Sequence, residues 1–156
     1  MGKFFGDLFD DLKLYARQIA WWNAPRKRVE KVGKTEREIE LPKRAVAAGD
    51  KGDLLYFPPL AQEARYLLEH LQSLGYVQPG MGGPMRLTHQ EICAWSELHG
   101  VALWSWEVTA LREMSGEFAS ELIAAESEKR PPPWSPSPDQ VDQVELVARI
   151  KNVLRR

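Results

Sequence analysis

Leu87-Thr88-His89-Gln90-Glu91-Ile92-Cys93-Ala94-Trp95-Ser96-Glu97-Leu98-His99-Gly100, with the run from Ser105 to Ala125 behind it, is the stretch that decides the fold. Thr88 followed three residues later by Glu91 is a capping box, in which each side chain satisfies an amide of the first turn. The pair predicts a helix that carries Ile92, Trp95 and Leu98 inward and stops at Gly100. Ser105 can cap a longer second helix, with Val108, Leu111, Met114, Phe118, Leu122 and Ala125 along one side. Two amphipathic helices with a short joint make an αα unit.

Toward the N-terminus, Leu60, Ala64, Leu67, Leu68, Leu71 and Leu74 share one helical face after Pro58-Pro59, and Gly75 is placed to close that helix with a left-handed cap. Gly80-Met81-Gly82-Gly83-Pro84 then reads as a loop, because glycine and proline favour neither helix nor strand. At the start of the chain, Phe5, Leu8, Phe9, Leu12, Ala16, Ile19 and Trp22 recur at threes and fours, and Pro25 ends that helix. Between 26 and 53 only short alternations appear (Val29, Lys31 and Val32, then Ile39 and Leu41), punctuated by Gly33, Pro42, Gly49 and Gly52. Two short strands or an irregular arm fit equally, in a mobile, solvated segment.

Toward the C-terminus, Pro131-Pro132-Pro133 breaks the long helix, and Trp134-Ser135-Pro136-Ser137-Pro138 continues as an extended linker. Ser137, Pro138 and Gln140 start a last helix with Val141, Val144 and Val147 inward and Lys151, Arg155 and Arg156 at its negative end. The expected fold is therefore mainly α, a small bundle of amphipathic helices with a β-hairpin or irregular arm at 26–53. Its parts are an N-terminal helix (1–24), a basic polar arm (25–58), a helical core domain (59–130), a linker (131–138) and a C-terminal helix (139–156).

At 156 residues, 44% hydrophobic, the chain has apolar surface for one compact core and little room for a second. A net charge of −1 supplies no overall attraction to phosphate or to an anionic membrane, so such binding would need a local patch. The lone Cys93 rules out an internal disulfide and suits a reducing compartment. Asp7, Asp10, Asp11 and Lys13 interrupt what would be a signal peptide's apolar run, so cytoplasmic synthesis is expected.

No usual catalytic signature gathers His70, His89 and His99, each of which has an ordinary place on a helix or at its end, so no enzyme and no cofactor is expected. His89 and Cys93, four apart, make only half a metal site, and the ordinary fate of such a cysteine is burial as a small hydrophobe. Trp21 and Trp22 beside Arg26, Lys27 and Arg28 are the best nucleic-acid or membrane-surface candidate, set against packed tryptophans next to a solvated basic turn.

The run from Met81 through Trp95, followed by Gly100-Val101-Ala102-Leu103 and Trp106-Glu107, resembles small tail-assembly proteins of phages and prophages over about residues 60–134. The shared features are a Gly-rich loop, a Leu-Thr-x-x-Glu-Ile helix start, a Trp-Glu before a Leu-rich helix, and downstream prolines. The resemblance implies a non-catalytic assembly chaperone in the host cytoplasm that binds tape-measure and tail-tube proteins. The alternative is a permanent minor tail or connector protein in the virion, with homo-oligomerisation open in either case. Nucleic-acid or membrane binding through 21–44 is the reading from another class. A partner-binding groove between helices 89–99 and 105–128 would be anchored by Trp95, Trp104, Trp106, Leu111 and Phe118. Core packing is the simpler fate for Trp95 and Phe118, and one of Trp104 and Trp106 should face outward. Trp134, held among prolines, is the strongest single recognition candidate.

Overall fold

The computed structural model describes residues 2–139. The element order is α1 (Gly2–Asn23), β1 (Arg26–Val32), β2 (Thr35–Leu41), α2 (Arg44–Lys51), α3 (Arg65–Ser73), β3 (Gln78–Gly80), β4 (Gly83–Met85), α4 (His89–His99) and α5 (Ser105–Ala124). A plain helical bundle is therefore not what forms: two antiparallel two-stranded sheets join five α-helices among the described residues, giving a mixed α and β structure. The helical periodicities do account for the core, but the strands come from residues outside those periodicities. The expected last helix lies, from Gln140 on, outside the described residues.

The main core is where α1 lies along α5. Leu12 and Ala16 of α1 meet Ala110, Leu111 and Met114 of α5, and Leu67, Leu71, Leu87 and Ile92 close the cluster. Fully burying one such leucine stabilises the fold by roughly 1.5–3 kcal/mol, and the alanines let the two helix backbones approach. The N-terminal helix and the 59–130 region thus share one core. A second cluster gathers Trp21, Trp22, Ala24, Ala48 and Ala125, with Tyr56, Phe57 and Leu122 packed against it.

α3 is preceded by a 3₁₀ turn, Gln62–Ala64, and is shorter than the apolar stripe suggests. It ends as Gly75 predicts: φ is +82° there, and the Gly75 and Tyr76 amides donate back to Gln72 and Leu71 carbonyls at 3.0 Å each.

The segment left open at 26–53 holds a hairpin and a helix, α2, which no sequence signal announced. β1 and β2 pair from Arg26↔Leu41 to Val32↔Thr35. Gly33 takes φ +67° at the first of two loop positions, as a type II′ turn requires. Lys31 opposite Glu36, and Glu30 opposite Arg37, offset one another across the ladder. Both faces of the hairpin are largely exposed.

The Gly-rich run expected as a loop is a turn only at Met81-Gly82, and its two ends pair within β3 and β4. Pro79 stands opposite Pro84, where neither has an N–H to give, so the pairing rests on its neighbours Gln78↔Met85 and Gly80↔Gly83. Tertiary contacts overrode the poor strand propensity: the buried Ser115 hydroxyl on α5 donates to the Tyr76 carbonyl (2.6 Å) and accepts from the Leu87 amide (2.9 Å), pinning both ends of this small hairpin.

Candidate protein-contact surface

Polar contacts fix α4 and its joint to α5. The Thr88 hydroxyl caps α4 by accepting from the Glu91 amide at 3.2 Å. Gly100 at φ +63° ends that helix, and the Val101 amide and carbonyl are both held by Ser96, at 3.0 and 2.5 Å. At the start of α5 the cap position is occupied by Trp104 rather than Ser105. Its amide donates to Glu107 Oε2 at 2.6 Å. Glu107 is only 6% exposed, and its other oxygen accepts from the Tyr66 hydroxyl at 2.5 Å. One buried carboxylate therefore ties α3 to the joint, and together with burial it raises the Tyr66 pKa well above the ordinary phenol value.

This framework presents two large apolar side chains to solvent, Trp104 at 74% exposure and Leu98 at 85%. Leu98, expected to point inward, does not: the buried side chains of α4 are Ile92 and Trp95. The Trp95 Nε1 donates to Ser73 Oγ at 2.9 Å, and its ring lies 4.9 Å from both the His70 and the His99 rings. Of the Trp104 and Trp106 pair, Trp104 faces out while Trp106 packs against the core. Trp95, Leu111 and Phe118 are buried, with Phe118 stacked on Tyr76.

A groove of about 540 Å³ runs between Lys13, the segment Pro84–Arg86 and the Glu113–Ile123 side of α5.

Trp134 is half-buried against Tyr56, and its amide donates to Gln18 Oε1 at 3.1 Å. Trp21 and Trp22 lie in the second core, their Nε1 atoms donating to the Arg130 and Tyr56 carbonyls at 3.0 Å each, so neither offers an open face for stacking. Arg26 donates to the Pro42 carbonyl, Lys27 pairs with Glu38, and Arg28 grips Glu128 at 2.8 and 2.9 Å.

Cys93 is exposed rather than buried, and its thiol faces Glu97, while His89 faces Arg112. Among the described residues no helix is long and apolar enough to cross a membrane.

The buried polar residues Gln18, Arg44 and Glu121 carry no local sequence signal, although each, like the buried Glu107, joins distant segments. Only Glu107 left a trace in the sequence, as the acid three residues after Trp104. Compared with family models, curated proteins and solved structures, the chain matches none.

Proposed function

We propose that this protein acts without catalysis, as an assembly protein that grips another protein chain through the Trp104 and Leu98 surface. The observation that carries this reading is Trp104 itself. A tryptophan left three-quarters exposed on a backbone clamped by Glu107 retains most of its apolar surface for a contact and has little backbone freedom left to lose. The buried charged side chains support it from the other side, since Arg44, Glu107 and Glu121 are each engaged in joining one segment of the chain to another.

The resemblance of residues 60–134 to phage tail-assembly proteins points to the partner class: the tape-measure protein, whose amphipathic helices need covering before assembly, or the tail-tube protein. A chaperone would leave before the particle matures, whereas a permanent tail component would stay, and proteomics of purified particles separates the two.

The test is co-expression with the tape-measure and tube proteins of the same genome. Trp104→Ala and Leu98→Ala should abolish co-purification while leaving the melting temperature unchanged. Undiminished co-purification of the double variant would remove this surface from the account, and failure of wild-type protein to retain either partner would remove the function.

A further inference from the structure

Among the described residues, the β1–β2 hairpin has one backbone edge open and the other only partly covered. Among the described residues β2 pairs with β1 alone, so its outer edge is open throughout. The outer edge of β1 is covered only at its base, where the Lys27 amide donates to the Glu126 carbonyl at 2.8 Å and Lys27 bridges Ser127. From Val29 to Val32 it is open, and those two valines are 58% and 64% exposed. Open edges invite another strand, and the charges along these two decide which one.

We infer that the hairpin is a self-association surface, in which β2 of one copy pairs antiparallel with the free half of β1 of a second copy. The two-fold arrangements centred on residues 37–39 of β2 or on residues 29–31 of β1 set like charges together. Two β2 edges related by a two-fold axis keep the same face, and Glu36, Glu38 and Glu40 share a face. Centring that pairing on Arg37, Glu38 or Ile39 places glutamate opposite glutamate or arginine opposite arginine. Two β1 edges fare no better, since centring on Glu30 or Lys31 sets that residue against itself, and centring on Val29 sets Lys27 against Lys31.

The head-to-tail arrangement has no such conflict. In the register the hairpin itself uses, Glu36 faces Lys31 of the second copy, Arg37 faces its Glu30, Thr35 its Val32 and Glu38 its Val29. Lysine and glutamate then alternate across the joined sheet on one face, and glutamate and arginine on the other, each pair favourable in the way cross-strand ion pairs are. The contact is four residues long, because residues 126–128 block the rest of β1, so it is weak singly and grows by repetition. A heterologous contact of this kind builds rings or filaments rather than closed dimers. It lies apart from the Trp104 surface and stands or falls independently of the function proposed above.

The experiment uses full-length chains in which the exposed Cys93 is replaced by serine. One carries Val29→Cys and the other Glu38→Cys, both at exposed positions, and circular dichroism checks that each folds. A short bis-maleimide is added to each alone and to the mixture. Cross-linked product in the mixture should exceed that of either single variant about tenfold, the ratio that two favourable in place of two unfavourable cross-strand pairs supply. Light scattering of wild-type protein should show mass rising with concentration past the dimer. Equal or dominant cross-linking within either single variant, no cross-linking in the mixture, or a mass that stays at the monomer or stops at the dimer would each overturn the inference.

Discussion

The guanidinium of Arg44 lies 4.6 Å over the ring of Trp21, and its Nη1 donates to the Trp21 carbonyl at 3.3 Å. The same nitrogen reaches the Ala125 carbonyl at 2.8 Å, and Nη2 reaches Ser127 at 2.8 Å. One planar cation therefore closes the carbonyl-rich ends of α1 and α5 and roots α2 between them. The negative ends of two helices favour a positive charge in that position. Burial, and then the nearby Arg26, pull the Arg44 pKa down, but an arginine starts so high that it stays charged.

Arg44→Ala should destabilise the fold by about 2–4 kcal/mol, because buried carbonyls at the ends of α1 and α5 lose their donor. Urea denaturation reads this directly. Arg44→Lys should recover less than half, since an ammonium cannot donate in a fork or stack on Trp21. A loss under 1 kcal/mol in Arg44→Ala would show that water replaces the guanidinium without penalty.

Gln18 is fully buried, donating to the Tyr56 carbonyl at 3.2 Å while accepting from the Trp134 amide. Gln18→Leu keeps the volume and removes both bonds, and should cost about 1–3 kcal/mol. Amide exchange at Trp134 should accelerate more than exchange in the α5 core, which a merely global loss of stability would not produce.

The phenol of Tyr66 should ionise well above its ordinary value of 10, since burial and the adjacent Glu107 carboxylate both oppose a phenolate. The folded pKa is raised, so the stabilisation is complete below the unfolded value and disappears as pH rises through the folded one. Tyrosinate absorbance in an alkaline titration should contain a late phase that Tyr66→Phe deletes.

At the hairpin base, Arg28 holds the Glu128 carboxyl below its ordinary range by hydrogen bonding and charge. This is the depressed case: the clamp is present above the unfolded value and is lost as pH falls through the folded one. Glu128 carbon shifts followed by NMR should titrate below the ordinary 4.5, and Arg28→Gln should return them toward it. Both groups face solvent, so the melting temperature should barely move.

Local chemistry made much of this fold readable. Thr88, Gly75, Gly100 and Pro25 act on neighbouring backbone groups, and the helix limits they imply are those that form. Gly33 is similar, since a tight turn needs its positive φ. The contact surface was half readable: two tryptophans two positions apart at a helix start cannot both turn inward, but nothing local told Trp104 from Trp106. Leu98 misled because Ile92, Trp95 and Leu98 follow one another at threes, and two such steps on a helix of 3.6 residues per turn carry Leu98 about 120° round from Ile92, off the face that Ile92 and Trp95 bury.

What the amino-acid order determined by itself was where α1, α3 and α4 end and where α4 begins, because caps, prolines and glycines work within a turn of their own position. Only the tertiary structure decided that a Gly-Pro stretch pairs as strands under Ser115, that Arg44 and Gln18 belong inside, and that Leu98 faces water. Each of those outcomes depends on partners between 22 and 116 residues away, as in Trp95 with Ser73 and Trp134 with Gln18. A side chain's surroundings at that separation exist only once the chain has folded.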